Sequence, residues 1–211
     1  MTDFADLEEP WVVLPGLVLP PEEWDDPEAA EIVIGASGNH GVVCKVDPED
    51  LAMVEYFRAP RSVRAATEFL NSLNYGDDEV STVDELVKEK FLIRVDPGAD
   101  TSGLSEFSGV RLVPLTLDAR LGEDPGGDSF VVQCDDGNSA TVGPLLLCIL
   151  YVSEPGEDFP TASRRLGAAY GISEDRLHQE ALRGFAQLLE SGAAYLEWCN
   201  PADGVIPEWS E

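Results

Sequence analysis

Four cysteines and two histidines are the side chains of this 211-residue chain best suited to nucleophilic or metal chemistry, and their spacing argues against both. Cys44, Cys134, Cys148 and Cys199 form no C-x-x-C pair, and His40 and His178 lie far apart, so the clustered donors of a zinc site are missing from the pattern. Cys44 and Cys148 sit inside apolar periodic segments and read as buried structural thiols. Cys134 precedes Asp135-Asp136, whose charges disfavour the thiolate and make it a poor nucleophile. His40, beside Asn39, reads as a turn residue rather than a base. Gly35-Ala36-Ser37-Gly38 lacks the Gly-Lys-Ser/Thr of a phosphate loop, and no helix is expected directly after it. Carboxylates are plentiful, but in so acidic a chain close pairs arise by chance. The expectation is a chain that is not an enzyme and holds no cofactor and no metal.

Charge narrows the partners. Asp and Glu number 41 against 13 Lys and Arg, a formal charge of −28. Such a field repels phosphate backbones and anionic bilayer surfaces, so neither nucleic acid nor membrane is an expected partner. The acidity reads first as a solubility trait and otherwise as attraction for a basic partner or mimicry of DNA. Apolar residues make up 44% of the chain, enough for packed cores. The longest apolar run, Leu145–Val152, is much shorter than the ~20 residues of a membrane helix. Met1–Asp6 is acidic and lacks the basic start of a secretory signal, which leads to an expected cytoplasmic location.

The elements that would position any site come as two similar series. Laying Val42–Ile93 over Ala140–Tyr195 puts Pro48 on Pro144, 96 residues on, Pro60 on Pro160, 100 on, and Leu86-Val87 on Leu188-Leu189, 102 on. A repeat this long suits two small domains in tandem rather than a solenoid. The expected division is an N-terminal arm plus first unit over 1–96, a Gly/Pro-bearing linker over 97–109, and a second unit over 110–211.

In the first unit, Trp11–Leu14 and Leu17–Leu19 read as short strands, and Trp11 and Trp24 are costly to expose, so the arm should pack on a domain. Glu31–Ala36 and Gly41–Val46 read as a hairpin around Ser37–Gly41. Asp47 caps a helix over Pro48–Phe57, with Leu51, Val54 and Phe57 as its stripe. Pro60 or Ser62 opens a second helix through Leu73; a third spans Asp77–Lys90, and Phe91–Ile93 closes the unit. In the second, Val110–Leu117 reads as a strand and Asp118–Asp128 as a loop. Phe130–Cys134 and Ser139–Val142 form a hairpin, and Pro144–Val152 is a deeply buried helix. Pro160-Thr161 opens the next helix, Ser173 caps Glu174–Ser191, and Ala193–Trp198 returns as a strand after Gly192.

A hairpin followed by three helices and a short strand gives an α+β class of two tandem winged-helix-like units, each a small hairpin or sheet with three helices. The order resembles the PqqD-like leader-recognition fold, which occurs alone or fused to enzymes that modify ribosomally made peptides. The resemblance rests on Glu31–Val46, Asp47–Phe57, Pro60–Leu73 and Val80–Ile93, with Val83-Asp84-Glu85-Leu86-Val87-Lys88-Glu89-Lys90-Phe91-Leu92 as the closest phrase and Phe185–Ala193 as its counterpart. It covers roughly half of the chain. It implies a non-catalytic adaptor that binds a precursor peptide as an added strand and presents it to a partner modifying enzyme. The implied groove is Val42, Val43, Lys45, Glu85, Lys88 and Glu89 in the first unit, and Val131, Gln133, Arg176, Gln179 and Arg183 in the second. Leader peptides of that class are often acidic, and only Lys88, Lys90 and Arg94 offset the repulsion, at one end of the first unit. The competing classes are an acidic DNA mimic, a regulator, and an inhibitor or immunity protein with winged-helix-like domains. A DNA-binding regulator is disfavoured by Asp77, Asp78, Glu79, Asp84, Glu85 and Glu89 along the third helix.

Overall fold

Pro48 and Pro144 each occupy the first position of a helix, where the missing amide is no loss and φ is already helical. Around these two prolines the chain builds the same series twice. The computed structural model describes residues 9–18, 30–34, 42–46, 48–73, 82–96, 107–115, 119–121, 129–133, 138–154 and 156–199. It divides the chain between Gly98 and Ala99, and the second unit ends at Cys199. Most of the expected linker and residues 200–211 lie outside the described residues, as do Trp24, Asp47, Cys134 and the hairpin turn at 35–41.

The first unit runs β1 (Trp11–Val13), β2 (Leu17–Val18), β3 (Ala30–Ile34), β4 (Val42–Val46), α1 (Pro48–Phe57), β5 (Arg61–Ser62), α2 (Val63–Ser72), α3 (Val83–Lys88) and β6 (Ile93–Val95). The second runs β7 (Val110–Pro114), β8 (Ala119–Leu121), β9 (Phe130–Gln133), β10 (Ser139–Val142), α4 (Pro144–Val152), α5 (Phe159–Tyr170), α6 (Glu174–Glu190) and β11 (Ala194–Trp198). In each, three strands form an antiparallel meander, β2-β3-β4 or β8-β9-β10. In each, the opening strand pairs antiparallel with the closing one, Val12 opposite Arg94 and Leu112 opposite Leu196. β5 adds to β1 in the first unit alone among the described residues. The class is therefore mixed α+β with small antiparallel sheets.

The cores follow the apolar stripes. Val54, Phe57, Ala66, Leu70, Val83, Leu86 and Leu92 are buried with Val12 of β1, and Tyr56 stacks on Phe69 at 3.7 Å. In the second unit Phe107, Phe159 and Phe185 meet edge to face, the shortest centroid distance being 4.6 Å. Trp11 is buried, as an arm packed on its domain requires.

The helix ends carry the repeat to atomic detail. Phe91 N–H donates to Leu86 O and Lys90 N–H to Val87 O; Ala193 N–H donates to Leu188 O and Gly192 N–H to Leu189 O. Both sets are the paired bonds of a Schellman ending, which needs a left-handed residue after the cap. Gly192 supplies it at φ 71°, and Lys90 at φ 62°, among the described residues the one non-glycine with positive φ. The 102-residue offset read from Leu86 and Leu188 thus also aligns Lys90 with Gly192.

Several elements differ from their sequence reading. α3 starts at Val83 rather than Asp77, because Thr82 and Glu85 form a reciprocal capping box; 74–81 lie outside the described residues. α5 starts at Phe159 because Asp158 accepts from Thr161 N–H. Ala119–Leu121, expected within a loop, pairs with β9. Cys148 is exposed, not buried. α4 buries Leu146, Ile149 and Leu150 on one side, and Cys148, Tyr151 and Val152, at the three- and four-residue spacing, share the other.

Lys90→Gly should raise stability by about 1 kcal/mol, because glycine adopts the left-handed conformation without the Cβ penalty. Gly192→Ala should lower it by about the same amount, through the backbone alone, since a Cβ there meets nothing within 4 Å. Urea unfolding of the full chain measures both; equal midpoints for the wild type and both variants would refute the equivalence.

Candidate functional site

A strand edge beside a helix is the surface that this architecture offers for recognition. β10 lies at the edge of its meander, paired among the described residues with β9 on one side only. Its side chains alternate: Ala140 and Val142 are buried, while Ser139 and Thr141 are exposed. α6 packs along β10 more extensively than along any other strand. The groove is therefore a row of backbone donors and acceptors on β10, with the flank of α6 as its wall.

Two glycines sit at close contacts of α6, one against α4 and one at the end of β10. A Cβ on Gly184 of α6 would collide with Leu146 Cδ2 and come within 3.8 Å of Val142 Cγ1. A Cβ on Gly143, the cap between β10 and α4, would lie 2.6 Å from Glu180 Oε2. The Glu180 carboxylate thus sits directly on the Val142 end of the strand. Its Oε2 is buried without a hydrogen-bond donor among the described residues. Its Oε1 is 3.7 Å from Arg176 Nε, an ion pair longer than a hydrogen bond.

The N-terminal part of α6 is anchored to α5. Ser173 caps it, accepting from Arg176 N–H, and Glu174 pairs with Arg164 at 3.2 Å. Arg165 donates to both oxygens of Glu157 and to Val152 O, tying the α4–α5 turn together. The Arg165 hydrogen bonds hold the Glu157 carboxyl below its ordinary range.

Comparison with protein-family models, with curated proteins and with solved structures finds no match. The function therefore has to be argued from this geometry.

Of the expected groove residues in the first unit, Val42, Val43 and Lys45 lie on β4, which is the edge of its own meander among the described residues. Glu85 is committed to the capping box, its carboxyl lowered by the Thr82 amide and hydroxyl. Lys88 and Glu89 are exposed at the end of α3, and Arg94 is held by Asp84 at 3.1 Å. α3, at six residues, packs on α2, and β4 packs chiefly on β3. The strand and the helix of the first unit are thus not brought together as β10 and the 17-residue α6 are. In the second unit Val131 and Gln133 fall on the central β9, while β10 and β8 are the outer strands of the meander among the described residues. Arg176 is exposed on α6; Gln179 and Arg183 also lie on α6, and their side chains are outside the described residues. The alternation Ser139-Ala140-Thr141-Val142 signals which face of β10 is buried, and the lone Gly184 inside a helical run signals a close contact of α6.

A separate polar group lies across the β7–β11 ribbon. Arg111 and Glu197 are direct cross-strand partners, their side chains 10% and 2% exposed, with Nε and Oε1 3.7 Å apart. Tyr195, two residues along on the same face, donates to Glu197 Oε2 at 3.4 Å. Burial, then the Glu197 charge, pushes the Tyr195 hydroxyl up to about 12. Burial, then Asp158, pushes the Cys199 thiol up to about 11, so it is protonated and a poor nucleophile at neutral pH. Among the described residues no group of three or more His, Cys, Asp or Glu is placed to hold a metal ion. No described helix is long and apolar enough to cross a membrane.

Gly184→Ala should cost roughly 1–3 kcal/mol, because the buried Leu146 side chain that it meets is already packed. Gly143→Ala should cost less, since Glu180 can swing its carboxylate away. Denaturation midpoints of the two variants measure the order, and a neutral Gly184→Ala would contradict the close approach.

Tyr195 keeps its proton to a higher pH in the folded chain than unfolded. It contributes full stability below pH ~10 and loses that contribution as pH rises toward 12. Tyrosine absorbance should therefore show one late titration near 12 that disappears in Tyr195→Phe; an unchanged titration would refute its burial.

Proposed function

We propose that this chain is a non-catalytic, peptide-binding adaptor built from two winged-helix-like units of the PqqD-like kind. It recognises a ribosomal precursor peptide and presents it to a partner modifying enzyme. The observation that carries the reading is the edge of β10, unpaired among the described residues and lying along α6, with Ala140 and Val142 turned inward and Ser139 and Thr141 outward. A peptide adds there as the next antiparallel strand. Its amides and carbonyls pair with the free edge, and alternate side chains rest against the wall of α6.

The first unit supports this role differently. Its third helix is short and its edge strand has no comparable helical wall, so β4 is a secondary surface, suited to docking the enzyme or a second stretch of the same peptide. Two sites on one chain would raise the avidity for a long precursor without requiring a tight site in either unit.

Selection of displayed peptides on the full chain tests the reading. Selected peptides should alternate apolar and polar residues, the period of a strand. N-methylation of a selected peptide at one alternate set of residues should abolish binding, and at the other set should leave it, because only one set of amides faces β10. Selected peptides with a helical period, or indifference to N-methylation, would overturn it.

A further inference from the structure

Resting on the strand-addition reading of β10, we propose that the peptide taken at this edge is cationic, carrying a Lys or Arg side chain where the added strand passes the Val142 end of β10. Three observations combine. The edge ends at Gly143, directly against the Glu180 carboxylate. Glu180 Oε2 is buried without a hydrogen-bond donor among the described residues, and Arg176, the cation paired with it there, stands 3.7 Å from the other oxygen. The whole chain carries −28.

A shielded carboxylate oxygen with no donor is costly, and a cation brought in by a ligand satisfies it. The described arginine side chains of α5 and α6 do not. Arg164 is engaged by Glu174 and Arg165 by Glu157, while Arg176 is two-thirds exposed and beyond hydrogen-bond distance. An ammonium or guanidinium arriving on a strand added beside β10 reaches Glu180 from the groove, after a side-chain shift that opens Oε2. The long-range field acts in the same direction: an acidic peptide is repelled on approach and a basic one is steered in. Gly143 has a function in this arrangement. It leaves Glu180 room to lie over the end of the strand, where a side chain would displace it.

Three ten-residue peptides, in which valine alternates with lysine, threonine or glutamate, test the proposal against the full chain. Titration gives affinities, and hydrogen exchange of the Ser139–Val142 amides gives the place of binding. The expected result is slowed exchange in β10, with the lysine peptide bound at least about tenfold more tightly than the threonine peptide and the glutamate peptide weakest. Glu180→Gln should remove about tenfold from the lysine peptide and leave the threonine peptide unchanged. The lysine preference should shrink, without vanishing, between roughly 50 mM and roughly 500 mM salt. Equal or tighter binding of the glutamate peptide with β10 still protected overturns the cationic preference and leaves strand addition standing. A lysine peptide that binds without protecting β10, or no protection by any peptide, overturns strand addition itself and the proposal with it. A Glu180→Gln loss that is the same for all three peptides also overturns the proposal, because it marks a merely structural role.

Discussion

The approach of α6 to β10 is the constraint on which the second unit depends. A helix normally stands off a strand by the thickness of its side chains. Gly184 removes that thickness at one point, where Leu146 and Val142 fill the space, and Gly143 removes it where the strand turns into α4. The consequences run outward from there. Ala140 and Val142 are buried under the helix, Phe185 reaches the ring cluster with Phe107 and Phe159, and Glu180 is laid on the end of the strand. Thr141 and Ser139 are left facing out.

The two units show what the same series of elements does with and without that approach. Both open with a strand that returns as the partner of the last, both carry a three-stranded meander, and both end their third helix in a Schellman turn. In the first unit the left-handed residue is Lys90 instead of glycine, α3 is six residues long, and Glu85 is spent on the cap. The corresponding stretch of α6 carries glycine, phenylalanine and alanine at 184–186, all buried. The two units share this topology, and the third helix of the first is the shorter, six residues against seventeen.

Much of the fold was legible in the sequence because the signals were local. Pro48 and Pro144 mark helix starts, Ser62 and Ser173 cap, Gly192 ends a helix, and the 102-residue offset reaches down to individual hydrogen bonds. The misplaced parts depended on tertiary context or on a local cap that apolar periodicity passes over. The helix expected from Asp77 starts at Val83 because the capping box at Thr82 sets its beginning, and apolar periodicity alone does not fix a start. Cys148 is exposed because a wholly apolar helix has no polar side to show which face looks outward. In the second unit the expected groove took in Val131 and Gln133, which lie on the central β9, since the pattern of a strand does not say which neighbours it has. The Arg111–Glu197 pair was out of reach for the same reason: cross-strand register over eighty residues of separation leaves no local trace.

The most direct test of the account is a set of cross-strand NOEs between isotope-labelled full-length protein and an unlabelled peptide taken from the selection. The account predicts contacts from the Ser139–Val142 backbone to alternate residues of an antiparallel peptide, together with contacts from the facing side of α6. Contacts confined to Val42–Val46, or to helical surfaces with none to the β10 backbone, would contradict it.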